Sequence, residues 1–238
     1  MRALKGEVLL TAFDEAWQEH DLHRALTLLS VAAQENTRQE LADLPLAARN
    51  DLLLRLREIS FGGLIQGVGT CPQCGVPMEF TLPVSELRAS MSDSHKSEGV
   101  TWSDRGTEYA MRPVTTSDLL SVMAEPGIHA AQEMLLSRCI SVFAGQERRA
   151  DLPSRCEQIF EEVNYSAEIR CAFTCTECAS VGTLDFDIPH FLWREVHNAA
   201  QRLLSEIHEI AGAYGWSEQM IAHMTPHRRR VYLEMLNP

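Results

Sequence analysis

The sequence predicts a mainly α protein with a small β element at its centre. Apolar residues recur at helical spacing near both ends of the 238-residue chain, over residues 5–33 and again from Pro189 to Ala213. Between these stretches the sequence changes to glycine, proline and paired cysteines, with short alternating segments typical of strands. We therefore expect helical N- and C-terminal regions that pack together around a cysteine-rich central part.

The composition limits the possible functions. The formal net charge is −12 and the isoelectric point is about 5.2, so the surface repels phosphate. Neither a general nucleic-acid binder nor a protein of anionic membranes is expected. No apolar run approaches the ~18 residues of a membrane-spanning helix, and the N-terminus lacks the apolar core of a signal peptide. We expect a cytoplasmic protein whose seven cysteines stay reduced, as metal ligands or small buried side chains.

The N-terminal part is predicted to be helical. Its first helical stretch covers residues 5–33, with a break near His20–Asp21. A further helix is expected to start at Asp43–Pro45, because proline at the first helical position gives up only an N–H that is unpaired there. It is expected to stop at Gly62–Gly63. Its spacing predicts an apolar face formed by Leu52, Leu53, Leu56 and Ile59.

The segment after the first cysteine pair is predicted to contain strands and a loop. Residues 76–84 alternate as in a strand, and residues 89–99 are small and polar as in an exposed loop. Residues 100–114 read as a hairpin with its turn at Asp104–Arg105–Gly106.

Helices are predicted after this hairpin. Ser117–Asp118 is expected to cap a helix that runs through Met123, and a second helix is expected from residue 128 to Gly145. A short helix and a strand then lead into the second cysteine pair, and residues 181–188 form another strand.

The C-terminal region has the most regular pattern. One long helix is followed by two short ones, which are predicted to start at Ser217 and at Thr225–Pro226. The continuous apolar stripe of the long helix consists of Leu192, Val196, Ala199, Leu203, Ile207 and Ile210.

Two C-x-x-C pairs provide the strongest chemical signal. Cys71 and Cys74 lie in "TCPQCGVPMEF", and Cys175 and Cys178 lie in "TCTECASVGTLDF". Each such turn places two thiolates on one side of a tight loop, and two turns together supply the four sulfurs of a closed, tetrahedral structural zinc site. Closing a loop of roughly 100 residues costs about 4 kcal/mol, whereas a structural zinc site contributes an apparent ~10–16 kcal/mol in small peptides.

Other interpretations of the cysteines stay open at this point. The two pairs could be incidental turns, or one of them could be redox-active, although thioredoxin-like motifs precede a helix and both pairs here precede a strand. The second pair lacks the proline and glycine of the first, which weakens it as a zinc knuckle. Cys171 could replace Cys175 as a ligand, but its alternation predicts a buried side chain. Cys139 and Cys156 are predicted to be buried.

The wide spacing predicts a split zinc-ribbon-like core, with a hairpin and helices inserted between its halves. The expected organisation begins with an N-terminal helical region over residues 1–67. The split region covers residues 68–188 and contains the insert at residues 89–168. A C-terminal helical region covers residues 189–238 and is expected to pack with the N-terminal helices as one unit.

No catalytic signature accompanies the zinc site. The chain has no G-x-S-x-G, P-loop, dinucleotide-binding or H-E-x-x-H motif, so we expect a protein that is not an enzyme. His190, His197 and His208 lie on roughly one side of the long helix, but without a carboxylate at ligand spacing they are predicted to be surface residues.

The C-terminal segment is the candidate partner-binding surface. Aromatic and arginine side chains are enriched in protein interfaces, and the candidates here are Trp216, Arg228, Arg229, Arg230 and Tyr232. The alternative is a zinc-ribbon nucleic-acid-binding or regulatory protein that uses the three arginines on phosphates. Three basic residues on a chain of net charge −12 are a small footprint, which favours a protein partner.

The order of these elements resembles a known family. "LADLPLAARNDLLLRLREISFG" is followed by "TCPQCGVPMEFTLPVSEL" and "RPVTTSDLL", then by "LDFDIPHFLWREV" and "RLLSEIHEIAGAYGWSEQMIAHMTPHRRRVYLEML". This order is similar to that of small cytoplasmic proteins of phage-tail-like contractile injection systems, which resemble the baseplate hub assembly proteins of T-even phages.

The resemblance implies a role without catalysis. It points to an assembly chaperone or a minor baseplate component that binds baseplate, hub or spike proteins. Only the four zinc-ligand cysteines are carried over from the family to positions of this chain.

Overall fold

The computed structural model describes residues 1–92, 99–143 and 155–236 of the chain. The N-terminal region is helical, as predicted. The expected break near residue 20 is present. His20 is the N-cap of the second helix, and its ring accepts a hydrogen bond from the Leu22 amide at 3.3 Å. The helices of this region are α1 (Glu7–Ala16), α2 (Asp21–Ala32), α3 (Arg38–Ala42) and α4 (Leu46–Phe61).

Helix α4 starts and stops where the sequence predicts, but its buried face differs. Pro45 is its N-cap and Gly62 its C-cap. Ile59, predicted to be apolar core, is 42% exposed. The helix is instead surrounded on several sides, and its buried residues include polar ones: Arg49, Asn50, Leu53, Leu54, Leu56, Arg57 and Ser60.

The helices of the two ends of the chain pack into one core around α9 (Ile188–Tyr214), which contacts α1, α2 and α4 as well as α10 (Glu218–Ala222) and α11 (Pro226–Leu236). The apolar stripe predicted for this long helix is confirmed, with Ala199 at its half-buried edge. The side chains that α9 buries in this core are Ile188, Leu192, Trp193, Val196, Ala200, Leu203, Ile207 and Ile210.

Each cysteine pair connects the strands of its own antiparallel hairpin. The first hairpin consists of β1 (Leu64–Thr70) and β2 (Pro77–Pro83), and the second of β6 (Arg170–Thr174) and β7 (Val181–Asp185). In the first hairpin the Phe80 ring covers Gly67 on the opposite strand, where an added Cβ would lie 2.4 Å from the ring. The second hairpin repeats the arrangement with Phe173 over Gly182.

The segment between the hairpins has a second, smaller core. The segment begins with α5 (Val84–Ser92), which packs on the main core. The elements that follow are β3 (Val100–Asp104), β4 (Thr107–Met111), α6 (Thr116–Val122), α7 (Ile128–Cys139), β5 (Ile140–Val142), α8 (Cys156–Asn164) and a 3₁₀ turn at Tyr165–Ala167. The predicted hairpin is confirmed, and its strand β4 also pairs with β5.

Three predictions for this segment are wrong in detail. The helix expected to reach Gly145 ends at Cys139, because Ile140–Val142 pairs with β4 as a strand. The cap of α6 is Thr115, whose hydroxyl accepts from the Asp118 amide in a capping box. No loop begins at residue 89, since α5 continues through Ser92 and buries Met91 in the main core. Residues 93–98 of that loop and residues 144–145 lie outside the described residues.

The two cores are joined by direct contacts near the start of α4. The Leu46 amide donates to the Val114 carbonyl at 2.9 Å, and Ser117 donates to the Asp43 carboxylate at 2.6 Å. Within the described ranges, no helix combines the length and the apolar character needed to cross a membrane.

Candidate metal centre

The first cysteine pair forms a tight turn at the tip of the β1–β2 hairpin. The Cys71 amide donates to the Val76 carbonyl at 2.9 Å, and the Gly75 amide donates back to the Cys71 carbonyl at 2.9 Å. Gly75 has a φ of 74°, a left-handed conformation that glycine adopts without a steric cost. The turn therefore holds both cysteine side chains on one side of the hairpin tip.

The second pair has the same backbone despite its different sequence. The Cys175 amide donates to the Ser180 carbonyl at 2.8 Å, and the Ala179 amide donates to the Cys175 carbonyl at 3.0 Å. Ala179 occupies the position of Gly75 and has a φ of 54°. The missing glycine therefore does not prevent the turn, although an alanine held in this conformation is strained by roughly 1 kcal/mol or more.

The fold brings the four predicted cysteines together. The ligand atoms of Cys71, Cys74, Cys175 and Cys178 all lie within 4.8 Å of one another. The Sγ atoms of Cys71 and Cys178 are 3.8 Å apart, and those of Cys74 and Cys175 are 3.7 Å apart. Cys71 and Cys175 are buried, whereas Cys74 and Cys178 are exposed. Two turns about 100 residues apart thus form one site, and this site could hold a metal ion.

The geometry of the site fits a tetrahedral ion. Four thiolates at about 2.3 Å from a central zinc lie about 3.8 Å from one another. The two short Sγ–Sγ distances are 3.8 and 3.7 Å, close to this value. A disulfide needs about 2.05 Å, so the sulfurs are placed as separate ligands.

Backbone amides lower the pKa of one thiol of the site. Hydrogen bonds from the Cys178 and Glu177 amides lower the pKa of the Cys175 thiol to about 7. For Cys74, the Val76 amide acts in the same direction, but burial and the three neighbouring thiols together raise its pKa to about 12. Cys74 therefore stays protonated near neutral pH in the metal-free chain, and a bound cation would favour its thiolate.

The other cysteines do not join this cluster. Among the described residues, Cys171 is not part of the group that could hold a metal, so a ligand exchange with Cys175 has no support in the geometry. Burial raises the pKa of the Cys171 thiol. Cys139 and Cys156 are buried in the second core, as the sequence predicts.

An apolar cleft of about 620 Å³ lies between the two hairpins. It is lined by strand residues such as Val68, Phe80, Phe173 and Leu184, and none of the four clustered cysteines lines it. The lining offers a surface for apolar groups and does not open onto the sulfurs.

The predicted C-terminal residues form a packed aromatic cluster. Trp216 lies 4.8 Å from Tyr214 and 4.9 Å from Tyr232, measured between ring centroids. Arg228 and Arg230 are exposed and form no ion pair within the described part of the chain. The assignment of these residues to partner binding stays a prediction.

Arg229 has an internal role. It is 6% exposed, its Nε donates to Glu206 at 2.5 Å, and its Nη1 donates to the Met224 carbonyl at 2.6 Å. Its guanidinium links α11 to α9 and is not available on the surface.

The histidines of α9 do not form a site. His190 and His208 are exposed, and His197 is half-buried. The His197 ring stacks on Trp17 with 5.3 Å between centroids. These positions agree with the expectation of surface histidines, one of which packs against aromatic rings of α1.

Comparison with known families identifies the class of protein. The model of the family described as "T4 bacteriophage base plate protein" matches residues 9–166. The chain belongs to this base plate family. The matched range begins in α1 and ends in the 3₁₀ turn before β6, so it includes the first cysteine turn and the second core. Neither a curated protein nor a solved structure matches the chain.

Membership of the base plate family supports a phage base plate-related role and association with base plate components. The second cysteine turn and α9 lie beyond the matched range, so the four-cysteine cluster joins the part with the family match to the part without it.

Among the buried charged residues that sequence reasoning did not identify is Arg49. It lies on α4 one turn before Leu53, on the stripe continued by Leu56 and Ser60, and all four are buried. This helical spacing is the signal that could have identified it as an interior residue.

Proposed function

We propose that this chain is a non-catalytic, zinc-stabilised protein-binding module in the assembly of the baseplate or hub of a phage-tail-like contractile injection system. The observation that supports it most is that a chain of the base plate family brings four cysteines from distant parts of its sequence into one cluster. A closed set of four thiolates leaves no coordination position for water, which fits a structural ion and not a catalytic one. Reduced thiols of this kind fit work in the cytoplasm.

In this proposal the ion fixes the two hairpins, and the helices around α9 present the binding surface. Zinc, when bound, supplies four strong bonds that hold the hairpin tips together. The ligand residues are Cys71, Cys74, Cys175 and Cys178. The exposed faces of Trp216, Arg228, Arg230 and Tyr232 are the proposed contact residues for a baseplate, hub or spike protein. Because Arg229 is internal, only two arginines of the cluster are free, which disfavours the nucleic-acid-binding alternative.

The metal part is tested by elemental analysis of the purified chain. We expect one zinc per chain, held by Cys178 among others, so that Cys178→Ser lowers zinc occupancy. The matched control is Cys171→Ser, which lies on the adjoining strand outside the cluster and should keep its zinc. Equal loss of zinc in both variants, or no zinc in the parent, would contradict the site.

The assembly part is tested by co-expression with the baseplate, hub and spike proteins of the same system. We expect the chain to co-elute with at least one of them, and the double variant Arg228→Glu with Arg230→Glu to weaken this association while zinc content stays unchanged. A zinc-loaded chain that binds none of them, or that instead binds DNA with a steep dependence on salt concentration, would overturn the assembly role.

A further inference from the structure

Arg49 is a buried arginine whose hydrogen-bond partners are all neutral. The residue is only 5% exposed. Nε and Nη2 donate to the Asn50 side-chain oxygen at 3.2 and 2.9 Å, and Nη1 donates to the Thr116 hydroxyl at 3.1 Å. A guanidinium has five N–H groups. One N–H on each terminal nitrogen therefore has no partner among the described residues.

The positive charge of Arg49 also lacks an ion-pair partner. Within the described residues no carboxylate oxygen lies within salt-bridge distance of it, whereas the other buried arginines, Arg57 and Arg229, pair with glutamates. Burial lowers the pKa of Arg49 to about 10, and the more distant Asp187 opposes this shift. Burying an uncompensated charge is costly, so a ligand that supplied the counter-charge would be stabilised at this position.

Arg49 lines a pocket at the junction of the two cores. The pocket has a volume of about 470 Å³, within the range of small-ligand sites. Apolar side chains from both cores form most of its wall, including Leu46, Val114, Leu135, Phe160 and Ile169. The pocket therefore combines an apolar cavity with one buried cation.

The carboxylates at the rim limit the charge of an occupant. Glu168 and Asp185 are ion-paired with Arg170. Asp187 caps α9 by accepting a hydrogen bond from the His190 amide at 3.1 Å. Arg49 is left as the cation with unused donors, but its acidic neighbours would repel a doubly charged phosphate. A singly charged, planar acceptor that uses two parallel N–H groups is the better match, and a carboxylate has that geometry.

We propose that this pocket binds one carboxylate attached to an apolar group, with Arg49 as its counter-charge. The carboxylate accepts from the two free N–H groups of Arg49, and the apolar group fills the space between Leu46, Leu135 and Phe160. The occupant can be a free apolar acid or the carboxylate end of a peptide chain. This inference is independent of the base plate assembly role, since it rests on a different part of the molecule.

The test compares acids with their neutral amides on the purified, metal-loaded full chain. Hexanoate and hexanamide differ only in charge and represent a free apolar acid. N-acetyl-leucine and N-acetyl-leucinamide represent a chain end. We expect saturable binding of the acids by calorimetry with dissociation constants near the millimolar range, as suits such small ligands, and amides at least about tenfold weaker. Tighter binding of N-acetyl-leucine than of hexanoate would assign the site to a chain end, and the reverse order to a free acid.

Variants separate recognition by Arg49 from non-specific binding. Arg49→Met should abolish the difference between acid and amide while the variant remains folded, and Arg49→Lys should retain part of it. Arg55→Met on the same helix removes an exposed arginine outside the pocket and should leave binding unchanged. If acid and amide bind the parent chain equally, or neither binds up to its solubility limit, the proposal is wrong whether or not the variants fold.

Discussion

The conformation of Ala179 is set by the second cysteine turn and not by the residue's own preference. Its φ of 54° is the left-handed conformation that Gly75 adopts in the first turn with a φ of 74°. Replacing alanine by glycine at such a position relieves strain, so Ala179→Gly should raise the free energy of unfolding by about 0.5–1 kcal/mol. Gly75→Ala should lower it by roughly 1–2 kcal/mol. Urea denaturation at a fixed excess of zinc measures both changes.

A glycine introduced at an ordinary helical position provides the control. Ala130 is exposed in α7 and has no unusual dihedral angle. Ala130→Gly should therefore destabilise the chain by up to about 1 kcal/mol, opposite in sign to Ala179→Gly. If both alanine-to-glycine changes destabilise, the strain assigned to Ala179 is absent.

Asp118 is a buried carboxylate that holds α6 in place. It accepts hydrogen bonds from Arg112 at 2.6 and 2.9 Å, from Arg138 at 3.1 Å and from the Thr115 amide at 3.0 Å. Burial raises the pKa of Asp118, but the Arg112 and Thr115 hydrogen bonds outweigh this effect and hold the pKa well below its ordinary range. Asp118→Asn keeps the side chain's shape but removes its charge, and should lower the free energy of unfolding by about 1.5–3 kcal/mol near pH 7.

The pH dependence of this difference follows from the sign of the shift. A carboxylate with a lowered pKa in the folded chain contributes fully above its unfolded pKa of about 3.9 and loses that contribution as the pH falls further. The difference in free energy of unfolding between the parent and Asp118→Asn should therefore be constant above about pH 5 and shrink below about pH 4. Metal release affects both proteins, so the difference is the readout. Asp43→Asn, at an exposed carboxylate, should show a smaller gap, and a gap for Asp118→Asn that grows in acid would refute the assignment.

At the scale of elements, one ion pair connects α4 to α9. Arg57 donates to the Glu195 carboxylate from Nε at 2.9 Å and from Nη2 at 2.8 Å, and its Nη1 donates to the Gly62 carbonyl at 2.6 Å. Removing one partner of a largely buried pair leaves the other uncompensated, so Arg57→Ala should lower the free energy of unfolding by about 3–5 kcal/mol. The control is Arg55→Ala, which breaks a solvent-exposed pair with Asp51 and should cost less than about 1 kcal/mol. Equal effects in chemical denaturation would contradict this role.

The elements also show where sequence reasoning succeeds and where it fails. Local patterns predicted the stripe of α9 and the turn of the β3–β4 hairpin, because both depend on nearby residues. The pattern "SRCISVFAG" predicts a helix, yet Ile140 pairs with Met111, 29 positions earlier in the chain, and no local spacing encodes that pairing. The end of α5 was missed for a related reason: Met91 is buried by tertiary contacts that its polar neighbours do not suggest.

At the scale of the whole molecule, the cysteines are the exception to this rule. Paired C-x-x-C motifs can be recognised from residue type and spacing alone. The cluster of Cys71, Cys74, Cys175 and Cys178 could therefore be predicted, although its members are up to 107 residues apart. The partners of arginines carry no such signal, and Arg57–Glu195, 138 residues apart, could not be predicted. Arg49 was missed for the same reason. Long-range pairing is readable from sequence only where the chemistry allows few alternatives.

If the four-cysteine cluster holds the proposed zinc ion, its position affects the stability of the entire chain. A metal ion that linked Cys71 to Cys178, whose sulfurs lie 3.8 Å apart, would close a loop of about 107 residues that contains the second core. Such a cross-link stabilises the folded chain by about 4–5 kcal/mol through the entropy of the unfolded state alone.

Removal of zinc by a chelator should therefore lower the free energy of unfolding by at least several kcal/mol, as measured by urea denaturation. Amide hydrogen exchange should become faster first in the two hairpins. Cys171→Ser should respond to the chelator as the parent does, and added zinc should restore both. An unchanged unfolding curve after verified loss of the metal would show that packing of α9 alone holds the hairpins together.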